Sequence, residues 1–467
     1  MSFESAKTQA QDCRKFTITV PALDFRPGRE VPFVIGVLGE FPDLGSAGPL
    51  SARSFAKIAP LESPHQSRGN SPARGCSAGL EHLIRSCARL SSVQIKVLHA
   101  TKEEVLRDVS GADTLEQTYL LKHLEDQELG TFGGDPLSII VADYEFSPNS
   151  RQDVLALSAL AQIGRQSYAP VVTSVPLSDL PVTVPGRRDP EEACALYHEP
   201  FWKAFRASPE AKSLYLAVPR LSLVSTRGDA AEDADAAAAS TAIDDVNPAY
   251  FVASRLALAH ETHGWPATIS AEVDVRMLLR AQIYPVRDLY FGPLRLPPLR
   301  WAEALSRAGF VPITGRHGSD SAVIFNCRSA SSGEQPEDRL LHELLACRLA
   351  QHIVLMCRES ATHDGLDGDE LTKRLERWLE KMFPESAPAT AADGTWIPFR
   401  KAPVLKALRT NNEVVFRLRI VANPLRNPHA PETASAETMK DIALAKGQSL
   451  RQRAARAGRE GAAGFNV

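Results

Sequence analysis

Four apolar runs of strand length, VQIKVLHA (93–100), LSIIVADYEF (137–146), APVVTSV (169–175) and SLYLAVPRL (213–221), each follow a stretch of helical character. The helical partners are AGLEHLIRSCARL (78–90), a segment over about 113–129, RQDVLALSALAQIGRQSY (151–168) and PEEACALYHEPFWKAFRAS (190–208). Between the first two strands TKEEVLRDV opens on Thr101 and a Glu-rich first turn, the pattern of a capped helix. Strands that are apolar on both faces need helices on both faces, and helical crossovers keep successive strands parallel. The expectation is an α/β fold: a mixed, largely parallel sheet with flanking helices.

Two further strand-like stretches, FTITV (16–20) and VPFVIGVLGEF (31–41), precede this region and are joined by a connection containing Pro and Gly. Residues 61–75 are polar, broken by Pro and Gly, and read as a linker; 227–240 (RGDAAEDADAAAAS) reads as an exposed, mobile loop. Further along come a helix over about 247–263, a helix–strand–turn–strand unit over 296–330, and a long amphipathic helix over 339–360. A second amphipathic helix over 367–383 and EVVFRLRIVAN (413–423), expected to be the last strand, complete the pattern. The organisation predicted is 1–60 N-terminal strands, 61–75 linker, 76–422 α/β region and 423–467 a basic, disordered tail, with the N-terminal strands combined into the sheet core of the α/β region.

A net charge of -3 speaks against a general nucleic-acid binder. No apolar run reaches the roughly 18 residues of a membrane span, and the opening residues lack a signal-peptide core. Seven cysteines without a C-x-x-C pair suit buried thiols in a reducing compartment. A soluble cytoplasmic protein without nucleic-acid or membrane partners is expected.

GTFGGDP (130–136) crowds three glycines ahead of an apolar strand, and Asp143 and Glu145 then share one strand face, roughly 7 Å apart by strand rise. Phosphate-binding glycines instead follow a strand and open a helix, where free N–H groups meet the anion, so a tight turn is favoured here. Two carboxylates could work as acid and base, but no nucleophile or metal motif accompanies them, and a strand-end cap or ion pair is favoured. His260 and His263 flank Glu261 at metal-ligand spacing, without the H-E-x-x-H pattern, and read as a surface pair at a helix end. Cys347, Cys357 and His352 share the long helix, the cysteines too far apart for one metal, and read as buried. No catalytic residue, cofactor site or metal site is expected.

The order of motifs carries more. VQIKVLHATKEEVLRD, TFGGDPLSIIVADYEFSPNSRQDVLALSALAQIGRQSYAPVVTSV and FWKAFRASPEAKSLYLAVPRL resemble, in succession, the large sheath subunit of the type VI secretion system. NPAYFVASRLALAHETHGW, LSRAGFVPITGRHGSDSAVIF and RLLHELLACRLAQHIVLMCRES continue the resemblance over about 76–422. Its most specific part is Phe132, Gly133, Gly134, Pro136, Asp143, Tyr144 and Phe146, read as a scaffold signature. KFTITV…VPFVIGVLGEFPD…PLSARSFAKI is similar instead to the start of the small sheath subunit, a separate chain in that family. The resemblance implies a structural protomer of a contractile, phage-tail-like sheath around an inner tube. Its partners would be copies of itself or other sheath subunits, inner-tube protein and baseplate components. The family's disassembly ATPase acts on an N-terminal helix of the large subunit that has no counterpart here. A non-polymerising homologue in a baseplate and an α/β enzyme remain as alternatives.

In that family terminal strands interlock between neighbouring protomers. Two segments match by order: Phe16, Ile18 and Val20 in one, Val414, Phe416, Leu418 and Ile420 in the other. In the latter these four form one apolar face, and Val415, Arg417 and Arg419 the opposite one. Pairing within their own chain is the alternative.

Overall fold

A computed structural model describes residues 19–20, 29–42, 48–58, 77–112, 114–125, 134–176, 179, 200–226, 241–264, 269–271, 284–285, 299–315, 321–333, 338–363, 368–382, 399–409, 414–422 and 437–444. The chain opens with strands β1 (Thr19–Val20), β2 (Arg29–Glu30), β3 (Phe33–Gly39) and β4 (Ala56–Lys57). Helix α1 (Ala78–Cys87), β5 (Val93–His99), α2 (Lys102–Ser110), α3 (Tyr119–Lys122) and β6 (Ile139–Glu145) come next. They are followed by α4 (Arg151–Gln166), β7 (Val171–Ser174), α5 (Pro200–Ala207) and β8 (Leu214–Val218). A hairpin of β9 (Leu221–Thr226) and β10 (Thr241–Val246) leads to α6 (Ala249–His263), β11 (Ser270–Ala271) and β12 (Tyr284–Pro285). Beyond these lie α7 (Leu299–Arg307), β13 (Phe310–Gly315), β14 (Ser321–Phe325), α8 (Leu340–His363) and α9 (Gly368–Met382). Strands β15 (Phe399–Arg409), β16 (Val414–Ala422) and β17 (Glu437–Leu444) close the described chain.

Ten strands form one sheet, ordered β11-β14-β13-β8-β7-β6-β3-β5-β4 with β12 also paired to β14. From β5 through β13 neighbours run parallel; β4 is antiparallel to β5 and β14 to β13 and β12, while β11 is parallel to β14. This is the mixed, largely parallel sheet expected. The N-terminal strand β3 sits inside it between β5 and β6, with Ile35 opposite both Ile95 and Ile139.

The sequence of β3 explains its place. All seven residues of FVIGVLG are buried, which only a strand covered on both faces allows. Phe33, Ile35 and Val37 enter one core, with α1, α6, α8 and α9; Val34 and Leu38 enter the other, with α2, α3, α4, α5 and α7. Each such side chain contributes about 1.5–3 kcal/mol by leaving water. Gly36 is required by space, because a Cβ there would strike the Leu137 side chain.

Local chemistry starts the helices where expected. Thr101 and Glu104 form a reciprocal capping box on α2, and Ser77 and Ser150 cap α1 and α4. Gly264, at φ 74°, ends α6 in a left-handed turn that its Gly-Trp sequence foreshadows. The helix expected over 113–129 is broken instead into a 3-10 turn at Leu115–Gln117 and the short α3. Thr118 is extended between them, and the Asp108 carboxylate accepts from the Tyr119 and Leu120 N–H groups, which stops the two from merging.

Val414–Ala422 is not the last strand: β17 follows it, within the stretch expected to be a disordered tail. Strands β15, β16 and β17 form a separate antiparallel sheet with β16 central. Helix α8 packs on β16 and β17, and α9 on β15. Its apolar part, Leu340–Cys357, is long and apolar enough to cross a membrane, but 89% of it is buried inside the protein, as in a core helix.

Candidate functional site

In a doubly wound sheet ligands bind beyond the C-terminal strand ends where the strand order reverses. Here that point lies between β3 and β6, because the chain runs from β3 outward to β5 and then returns to β6 on the other side. Asp143 and Glu145 of β6 lie at this end, so the candidate acid pair stands where chemistry would be placed.

Both carboxylates serve the scaffold. Asp143 Oδ2 accepts from Tyr250 Oη of α6 at 2.7 Å and from Ser77 Oγ at 3.1 Å, the same Ser77 that caps α1. The carboxylate thereby joins two helices to the end of β6. Burial raises its pKa, and the hydrogen bonds from Tyr250 and Ser77 oppose the shift. Glu145 pairs with Arg220, just past β8. Gly79 lies against the Tyr250 ring, and Gly39 against Phe41 and Asp143, so the crevice is filled by side chains. Of the expected strand-end cap or ion pair, the ion pair is present at Glu145, while Asp143 takes side-chain hydrogen bonds from Ser77 and Tyr250.

The rest of the signature is equally committed. Tyr144 Oη donates to Ala100 O at 2.7 Å, and the ring packs edge-on to Phe146. Phe146 is buried beneath Lys102 Nζ, 4.9 Å from the ring centre. Lys102 donates to Glu145 O at 2.6 Å and to Asp153 Oδ2 at 3.0 Å, tying α2 and α4 to the strand end. Pro136 is buried and Gly134 half-buried ahead of β6, while Phe132 and Gly133 lie outside the described residues.

His260 departs from expectation. It is buried, with its ring stacked on Phe33 at 5.2 Å, because α6 turns this face to the sheet. Glu261 beside it accepts from Ser92 N at 3.0 Å and Ser92 Oγ at 2.5 Å, so this motif docks the turn before β5. The side chain of His263 lies outside the described residues. Among the described residues no group of three or more His, Cys, Asp or Glu side chains is placed to hold a metal ion. Cys347 and Cys357 are buried, with burial pushing the Cys357 thiol up to about 12, and His352 Nδ1 lies 2.6 Å from Arg348 O.

Of the terminal candidates, Phe16 and Ile18 lie outside the described residues, and Val20 pairs with Arg29 in the β1–β2 ladder. Val414, Phe416, Leu418 and Ile420 lie in β16, both of whose edges are paired within the chain. Sequence reasoning missed Ser77, Arg220 and Tyr250. Ser77 stands in the cap position ahead of a helical pattern, the one visible signal among them.

These features define a scaffold protein: an α/β sheet whose acidic residues at the switch point fasten helices to strand ends. The family model for the EvpB/VC_A0108 tail sheath N-terminal domain matches residues 77–331, and the chain belongs to that family. It is a structural sheath subunit. The type VI secretion system sheath protein TssC1 of Pseudomonas aeruginosa is 24% identical over 358 residues, covering 68% of this chain and 69% of that protein. The solved sheath tail protein Lin1278 of Listeria innocua aligns over 95% of this chain and 98% of its own, at 10% identity and a TM-score of 0.41, too distant to carry an argument.

Proposed function

We propose that this chain is a protomer of a type VI secretion, phage-tail-like contractile sheath, assembling with its own copies around an inner tube in the cytoplasm. The observation that carries the reading is the tail sheath family match, whose segment holds the Asp143–Phe146 joint. A contractile sheath needs rigid bodies that survive a change of packing, and head-to-tail contacts build open helices rather than closed rings. A joint fastening four helices to one strand end suits such a body. No catalytic role is assigned, since Asp143 and Glu145 are held in structural contacts. Inner-tube protein and baseplate components are the further partners; no role is given to a disassembly ATPase.

Residues 1–60 are taken to act within this chain as a small sheath subunit does beside the large one. In support, β3 lies outside the family-matched segment yet pairs on both sides with strands of that segment, β5 and β6. Contact between copies is placed at the terminal strands. Since β16 is flanked on both sides, the outer edges of its sheet among the described residues are those of β15 and β17.

Electron microscopy of the purified chain, alone and with inner-tube protein, tests the reading: tubules are expected, and discrete particles under both conditions overturn it. The internal pairing of β16 favours a second reading, a non-polymerising homologue in a baseplate, for which discrete particles are the expected result. Proline at Met439 and at Lys440 of β17 tests the edge, because successive residues aim their N–H groups to opposite sides. One of the two should keep the fold and lose assembly.

A further inference from the structure

The start of β3 is held from below by α8. Arg348 is 1% exposed. Its Nη2 donates to Val31 O at 2.8 Å, and its Nη1 to Ser138 Oγ at 3.0 Å and Gln351 Oε1 at 3.1 Å. All three acceptors are neutral. Ser138 Oγ also accepts from Val34 N at 3.0 Å, and Ser138 N donates to Val34 O at 2.7 Å. Gln351 Nε2 donates to Leu137 O at 2.5 Å and Tyr168 O at 2.9 Å, the chain just ahead of β6 and β7. Phe33 completes the arrangement, its ring between His260 and the Arg348 guanidinium, 6.0 Å from the ring centre.

A buried guanidinium with neutral acceptors is costly, and such a group is kept where it fixes something apolar packing leaves open. What β3 leaves open is its register. Its residues are apolar on both faces, so a slipped strand would still bury apolar side chains. Gly36 against Leu137 restricts the slip sterically. Beside the backbone ladders, the Arg348–Ser138 pair grips the backbone on both sides of Phe33, at Val31 O and Val34 N.

We infer that Arg348, with Ser138 and Gln351 as co-anchors, is the positioning residue for insertion of the N-terminal strand, forming a polar seat for residues 31–34 of this chain. The seat reads backbone and one aromatic ring, so its occupant is an extended apolar segment entering parallel to β6. The inference does not depend on the sheath reading.

Hydrogen exchange read by mass spectrometry on the full-length chain tests it, comparing Arg348→Leu and Arg348→Lys with Leu305→Ala, a core truncation on α7. In both Arg348 variants, protection over residues 31–39 should fall at least about tenfold further than over β7 and β8, the scale of one buried hydrogen bond. Leu305→Ala should leave β3 no more affected than the rest of the sheet. The lysine variant, which can reach only some of the acceptors, should lose less than the leucine variant. Loss spread evenly over the sheet in the Arg348 variants, or no loss over 31–39, overturns the inference. If Arg348→Leu does not fold, the lysine variant alone gives the same reading.

Discussion

At the C-terminal ends of the parallel strands, polar groups stay within reach of water. The Arg220 and Glu145 side chains keep 25% and 38% of their surface exposed, and Asp143 is half-buried between Ser77 and Tyr250. At the N-terminal ends, Arg348 and Gln351 are sealed away and bonded to Ser138 and backbone carbonyls. The C-terminal end thus keeps an ion pair within reach of water beside buried bonds such as Asn247 to Ala142 O, whereas the Arg348 network is dry throughout. Solvated pairs are weak individually and tolerate exchange. A dry network leaves orphaned groups when any member is lost. The N-terminal end should therefore be the more sensitive of the two.

The largest effect should come from Phe33→Ala, which empties the position between His260 and Arg348. Chemical denaturation is expected to read a loss of about 3–5 kcal/mol. A loss below about 1 kcal/mol would place the weight of β3 elsewhere.

Acid should distinguish the ends next. His342, near the start of α8, is held down to about 4, mainly by burial and then by the Arg339 charge. The unfolded chain takes up that proton first, so stability should fall as pH drops from about 6.5 to about 4, by up to about 3 kcal/mol. Asp143 has the opposite sign: its raised pKa means the fold regains stability as pH falls through it. Denaturation midpoints against pH should show the fall, and His342→Gln should flatten it; an unchanged slope in that variant removes the assignment.

Gly79→Ala should rank third, since a Cβ there meets the Tyr250 ring and Val246. Overpacking of this kind costs about 1–3 kcal/mol, and thermal unfolding should record it. The smallest change is expected for Ser77→Ala, which removes both the α1 cap and one donor to Asp143, at about 1 kcal/mol. If it costs more than Phe33→Ala, the proposed ranking of the two ends is reversed.

The alternation of helix and strand between 78 and 221 was legible because period and cap agreed, as at Thr101. The family signature was legible too, and the strand-end roles of Asp143 and Glu145 followed from the lack of companions. That N-terminal strands join this sheet was legible as well, but the neighbours of β3 were not, because an all-apolar strand states that it is covered but not by which strands. Strands β15 and β17 escaped because FRKAPVLKALR and ETMKDIAL mix charge into weak alternation. The polar seat did leave a trace: Arg348, Gln351 and His352 fall at helical spacing inside the otherwise apolar stretch Leu344–Cys357 of α8. That face meets strand ends, where backbone carbonyls need donors.

The bond from Arg348 to Val31 spans 317 positions of sequence. During synthesis β3 therefore leaves the ribosome long before the helix that holds it. Neighbours β5 and β6 emerge in between, and the sheet can begin to close around β3 without its anchor. Contacts of such separation form late and slowly. Until α8 arrives, seven apolar residues wait with only part of their cover, and in that interval the chain is most exposed to mispairing.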